Sequence, residues 1–88
     1  MLTLESFKSA RSVLQAVLRP TPLIHSPYLS KNCRNNVYLK PENMQATGAY
    51  KLRGAYYKIS TLSQEEKDRG LVTASAGNHA QGVAYAAQ

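Results

Sequence analysis

The chain opens with a pattern typical of an amphipathic helix. Apolar side chains recur at nearly helical spacing from Leu4 to Leu18, and Thr3 is a suitable N-cap. We therefore expect a helix that begins after Thr3 and ends before Pro20.

The next segment changes from helical spacing to turn and strand signals. Three prolines between positions 20 and 27 favour an extended chain, and polar residues 31–36 predict a loop with Asn35 and Asn36 as turn residues. The apolar run Val37–Leu39 then predicts a short strand.

Helical spacing returns in the second half of the chain. After a break at Gly48, residues 51–62 carry one apolar face, formed by Leu52, Ala55, Tyr56 and Ile59. Residues 63–66 have the form of a capping box, which opens a short helix that Gly70 ends. A last helix is expected from Asn78 onward.

Residues 71–74, Leu-Val-Thr-Ala, predict a second strand. A strand, a helix and a strand in this order predict a right-handed parallel crossover unit. The fold class expected is therefore α/β, with helices packed on a parallel sheet, and residues 1–88 are expected to have no internal domain boundary.

Composition and charge narrow the function classes. Apolar residues make up 43% of the chain and charged residues 18%, which is ordinary for a globular protein. The net charge is +6, but the basic residues are scattered, so we expect neither a nucleic-acid nor a membrane partner. No apolar run spans a bilayer, and the expected location is the cytoplasm. The single Cys33 excludes an internal disulfide, and no metal site is expected.

Lys51 is the first candidate for chemistry. It stands between an aromatic residue, Tyr50, and a helix-forming run. Burial of a lysine disfavours its charge and frees the amine to form an imine with an aldehyde cofactor. The alternative is that Lys51 is one of six solvated lysines in a basic chain.

A second candidate is the turn at residues 74–82, between the end of the second predicted strand and the start of the last helix. Free backbone N–H groups and the positive end of a helix dipole favour an anion at such a turn, for instance a substrate carboxylate. Gly77 lets the backbone approach closely. On turn chemistry alone, a helix cap without a ligand is the favoured interpretation.

Together these segments resemble the fold-type II pyridoxal-phosphate enzymes, and within them the threonine/serine dehydratases, also called threonine ammonia-lyases. The resemblance rests on three blocks in the family's order and spacing: Thr21–Leu23, residues 39–55 with the lysine segment, and Ser75–Gly82. It covers nearly the whole chain and implies a partial fold-type II fold.

The resemblance assigns roles to individual residues. Lys51 matches the lysine that holds pyridoxal phosphate and acts as acid and base, Asn78 matches the asparagine bonded to the cofactor's ring hydroxyl, and Tyr50 takes the place of the aromatic residue on the pyridine ring. The loop that receives the substrate carboxylate corresponds to Ser75, Ala76, Gly77, Asn78 and His79. For His79, an ordinary first-turn histidine is an equal alternative.

The implied reaction is β-elimination from L-threonine, with L-serine as a further candidate, to a 2-oxo acid and ammonia. This reaction belongs to amino-acid metabolism and to isoleucine biosynthesis. Ala76 favours a dehydratase, because racemases of the family tend to carry a second serine there. Leu52 before Arg53 favours the same branch over cysteine and threonine synthases, which usually have an aspartate. Lys40 and Glu42 are interpreted as a solvated structural pair.

The enzymes of this family are several times longer than 88 residues, so the chain is expected to be their N-terminal part. The family's glycine-rich phosphate loop and the group facing the pyridine nitrogen are not found in it. We therefore expect the 88 residues alone to be inactive, and a homo-oligomer when full length. A truncated remnant and a serine racemase or serine dehydratase relative stay open as alternatives.

Overall fold

The computed structural model describes all 88 residues. It contains five α-helices and one small two-stranded sheet. Its elements are α1 Leu4–Leu14, β1 Ile24–His25, α2 Pro27–Cys33, β2 Tyr38–Leu39, α3 Lys51–Ser60, α4 Gln64–Asp68 and α5 Asn78–Ala86, with a 3₁₀ turn at Glu42–Met44. The expected α/β class is confirmed. None of the helices combines the length and the apolar character that crossing a membrane requires.

Helix α1 begins where the sequence predicts. The Thr3 hydroxyl accepts a hydrogen bond from the Ser6 amide at 3.2 Å, and the Ser6 hydroxyl accepts one from the Thr3 amide at 3.4 Å. This reciprocal cap satisfies two amide donors that the first turn leaves free. The helix ends at Leu14, earlier than predicted, and the chain continues in turns.

Helix α2 corrects the expected extended chain and polar loop. The Ser26 hydroxyl accepts a hydrogen bond from the Leu29 amide at 3.3 Å, and Pro27 occupies the first helical position, where its missing N–H has no partner to lose. Arg34 ends the helix with a positive φ of 51°. A serine followed by a proline is thus a helix start signal in this segment.

The strand predicted at residues 37–39 is confirmed as β2. It pairs antiparallel with β1, so that Ile24 lies opposite Leu39 and His25 lies opposite Tyr38. The rings of His25 and Tyr38 lie 5.2 Å apart between centroids. The only sheet of the structure is therefore a two-stranded antiparallel one.

The second strand predicted at residues 71–74 is not formed, and the parallel crossover is absent with it. Residues 71–75 have no regular hydrogen-bonding pattern, and the side chain of Val72 is fully exposed. A strand needs a neighbour for its backbone groups. The two strands that do form pair with each other on a different part of the chain.

The core lies where α3 packs against α5 and α1. Leu52 is completely buried, and Leu14 and Ala55 are nearly so. The apolar face predicted for α3 is thus confirmed at its two innermost positions. The capping box of α4 is also confirmed, because Ser63 and Glu66 exchange hydrogen bonds of 2.8 and 3.2 Å, and Gly70 follows the helix with φ of 80°.

Candidate active site

Lys51 is the first residue of α3, as the sequence predicts. Its side chain is half-buried rather than deeply buried. The three ion pairs of the structure join other residues, so the Lys51 amine has no carboxylate partner. The amine is therefore accessible to a small molecule.

A groove of about 390 Å³ lies beside this lysine. Its lining combines the start of α3 with the first turn of α5: Tyr50, Lys51, Arg53, Gly54, Ala55 and His79. Tyr50 is 63% exposed and leaves its ring available to a ligand. The structure thus brings three of the predicted site residues, Tyr50, Lys51 and His79, to one surface.

The turn before α5 has the geometry of an anion site. Gly77 has φ 152° and ψ −74°, a conformation that residues with a Cβ rarely adopt, and it is the N-cap of α5 without a side-chain cap. The first helical hydrogen bond joins the Gln81 amide to the Gly77 carbonyl at 3.0 Å. The amides of residues 78–80 consequently point out of the helix end unpaired.

The other predicted loop residues do not line the groove. Ser75, Ala76 and Asn78 are exposed, and the Ser75 hydroxyl accepts a hydrogen bond from the Gly77 amide at 3.1 Å. That bond shapes the turn itself. Asn78 is the first residue of α5, and its exposed side chain is free to reach a ligand.

Close packing of α5 on α3 sets the distance between these parts. Gly82 is buried, and a β-carbon built on it would lie 3.4 Å from the Lys51 carbonyl oxygen and 3.3 Å from the Leu52 amide nitrogen. A glycine here lets the two helix backbones approach closely. The start of α3 and the first turn of α5 are thereby held side by side.

A polar cluster next to the groove was not predicted. Arg53 donates from Nε to Glu42 Oε2 at 2.8 Å and from Nη2 to Glu42 Oε1 at 2.7 Å, and the Thr21 hydroxyl donates to Glu42 Oε1 at 2.8 Å. The hydrogen bonds from Arg53, helped by that from Thr21, lower the pKa of Glu42 from 4.5 to about 2, although burial opposes the shift. The same pairing raises the pKa of Arg53.

This cluster corrects the interpretation of Lys40 and Glu42 as a solvated pair. Glu42 pairs with Arg53, and the Lys40 amine donates to the backbone carbonyl of Thr21 instead. The buried Gln45 side chain bonds both backbone groups of Arg19, at 3.0 and 3.1 Å. Such bonds between distant segments leave no periodic signal in the sequence.

Known proteins resemble this chain in sequence. Residues 14–88 match the family described as pyridoxal-phosphate dependent enzymes. The chain is 56% identical over 88 residues to the L-threonine ammonia-lyase of Thermotoga maritima, covering all of this chain and 22% of that protein.

Solved structures give the same picture. The serine racemase of Dictyostelium discoideum superposes with a TM-score of 0.88 at 36% identity, over 97% of this chain and 28% of its own. The threonine deaminase of T.th. superposes with a TM-score of 0.82 at 38% identity, over 98% of this chain and 30% of its own. The chain therefore spans less than a third of the length of each of these proteins, and its partial fold-type II architecture is confirmed.

Proposed function

The chain belongs to the family of pyridoxal-phosphate dependent enzymes, and from this premise we propose that it is the N-terminal part of a lyase that converts L-threonine to 2-oxobutanoate and ammonia. The observation that carries the proposal is the groove itself: Lys51, with an amine free of carboxylate partners, shares it with His79 from the first turn of α5. The 56% identity to an L-threonine ammonia-lyase supports the choice of substrate, with L-serine as a second candidate.

The residues present fit the reactive end of the cofactor. The donor set offers an accessible primary amine, an exposed aromatic ring at Tyr50 and unpaired amides at the start of α5. The amine can form an imine with the aldehyde of the cofactor. The Tyr50 ring can pack against its pyridine ring, and the amides can bind an anion. When bound, pyridoxal phosphate supplies an electron sink for the carbanion formed at the substrate's α-carbon.

Within this proposal each residue of the site has a defined role. Lys51 holds the cofactor through Nζ and moves the proton to and from the substrate's α-carbon. Tyr50 packs on the ring, and the Asn78 amide donates to the ring hydroxyl. Residues 75–79 receive the substrate carboxylate through backbone amides, which orients the α-proton toward Lys51. His79 either takes part in this contact or is an ordinary first-turn residue of α5.

A second candidate is racemisation of serine, and the similarity to the Dictyostelium discoideum racemase favours it. Ala76 argues against it, because its methyl group cannot exchange a proton on the face opposite Lys51. An inactive remnant of the family is the third possibility. We further propose a full-length homo-oligomer in the cytoplasm that serves isoleucine biosynthesis.

Activity with L-threonine tests the proposal. The full-length protein is purified and incubated with pyridoxal phosphate and L-threonine, and 2-oxobutanoate is measured. Lys51→Ala should abolish its formation, whereas Lys58→Ala, at an exposed lysine of the same helix, should retain it. Formation of D-serine from L-serine without 2-oxo acid would favour the racemase. Activity that persists in Lys51→Ala would refute the assignment of Lys51.

A further inference from the structure

The start of α3 lacks the usual means of fixing a helix end. Tyr50 occupies the N-cap position and makes no side-chain capping hydrogen bond. Lys51, the next residue, therefore stands on a turn whose amides have no side-chain acceptor. Two other features hold this turn. The Leu52 side chain is completely buried, and Arg53 forms an ion pair with Glu42.

The ion pair is anchored at both ends. Glu42 receives three hydrogen bonds of 2.7–2.8 Å, two from Arg53 and one from Thr21, so its carboxylate has one defined orientation. The 3₁₀ turn that carries Glu42 leads directly into Gln45, whose side chain is bonded to both backbone groups of Arg19. The turn is therefore held by the segment around residues 19–21 independently of its contact with α3.

Arg53 connects this anchor to the candidate site. It lies two residues after Lys51 on the same helical turn, and both residues line the same groove. A two-point contact between a guanidinium and a carboxylate fixes direction as well as distance. It also neutralises a positive charge that would otherwise lie free at the groove that Lys51 lines.

We propose that Glu42, acting through Arg53, is a positioning residue that holds the first turn of α3 so that Lys51 Nζ faces the groove. The inference rests on the proposed function, in which Lys51 holds the cofactor. Neither Glu42 nor Arg53 takes part in the chemistry itself. Loss of the pair should therefore change where Lys51 Nζ points rather than whether the chain folds.

Site-specific labelling tests this role. The full chain is incubated with pyridoxal phosphate and reduced with borohydride, and the label on Lys51 is measured relative to that on the exposed Lys58 of the same helix. In Glu42→Gln this ratio should fall by about tenfold, less than the ~100-fold that a 1 Å misplacement of a reacting group can cost. Arg53→Lys keeps the charge without the two-point contact and should give an intermediate ratio.

The matched control is Glu65→Gln, which removes the exposed ion pair to Arg69 next to α4. It should leave the labelling ratio unchanged. Circular dichroism establishes that each variant is folded under the labelling conditions, and Arg53→Lys replaces Glu42→Gln if the latter unfolds. An unchanged ratio in a folded variant would overturn the positioning role alone, whereas absence of preferential labelling of Lys51 in the unaltered chain would overturn the proposed function and this inference together.

Discussion

Gly82 of α5 lies against the backbone of Lys51 at the start of α3, at a distance that leaves little room for a side chain. A β-carbon at position 82 would lie 3.3 Å from the Leu52 amide nitrogen and 3.4 Å from the Lys51 carbonyl oxygen. The candidate site thus depends on the close approach of α3 and α5, which Gly82 permits. The groove lined by Lys51 and His79 lies where these two helices meet.

Replacing Gly82 should reveal this contact. Gly82→Val should destabilise the chain by about 1–3 kcal/mol, because the added methyl groups force the helices apart. In Gly82→Ala the smaller crowding is offset by the gain of about 1 kcal/mol in helix propensity, so stability should change little. Urea unfolding measures both.

The control for Gly82 is Gly54, a helical glycine with open space around its α-carbon. Gly54→Ala should stabilise the chain by about 0.5–1 kcal/mol. Equal effects of alanine at positions 54 and 82, together with a tolerated Gly82→Val, would show that the close approach of the helices is not required.

Gly77 should resist substitution for a different reason. Its surroundings leave room for a Cβ, but its φ of 152° does not suit one, so Gly77→Ala should cost about 1–3 kcal/mol in stability through the backbone alone. The turn before α5 should lose its shape, and the KM of the full-length protein for L-threonine, the proposed substrate, should rise. An unchanged KM and an unchanged unfolding midpoint would contradict the role assigned to this turn.

The Glu42–Arg53 ion pair should make stability depend on pH in the acid range. The pKa of Glu42 is lowered from 4.5 to about 2 in the folded chain, so the stabilisation is complete above pH 4.5 and is lost as the pH falls toward 2. Glu42→Gln should cost about 1 kcal/mol at neutral pH, since Arg53 is 37% exposed and solvent weakens the pair.

Urea unfolding of both proteins across this pH range checks the prediction. The difference in stability between the unaltered chain and Glu42→Gln should shrink as the pH falls from 4.5 to 2. Glu66 also has a lowered pKa, through the backbone hydrogen bond from Ser63. Because Glu66 lies outside the Glu42–Arg53 pair, Glu66→Gln serves as the control for the loss of a carboxylate elsewhere in the chain. A constant difference between the unaltered chain and Glu42→Gln would mean that the carboxylate does not titrate as described.

Local signals predicted the elements that local interactions form. Thr3 and Ser63 cap helices through residues three positions away, and the apolar spacing of α3 located the buried Leu52. Helix α2 differs from the prediction although its signal is also local, because a proline suits both an extended chain and the first turn of a helix, and Pro27 here takes the helical position.

The remaining differences come from contacts between distant parts of the chain. Residues 71–74 have the composition of a strand, but no neighbouring strand pairs with them here. The bond between Glu42 and Arg53 and the contact of Gly82 with Lys51 join separate elements, and neither follows from a repeat or a motif spacing. The roles of Lys51 and Asn78 came from the family resemblance rather than from periodicity.

The most direct test of the account is the position at which pyridoxal phosphate attaches to the chain. After borohydride reduction and proteolysis, mass spectrometry should find the label on the peptide that contains Lys51, in clear excess over those containing Lys40 and Lys58. Label distributed over all six lysines according to their exposure would contradict the assignment of Lys51 as the cofactor lysine.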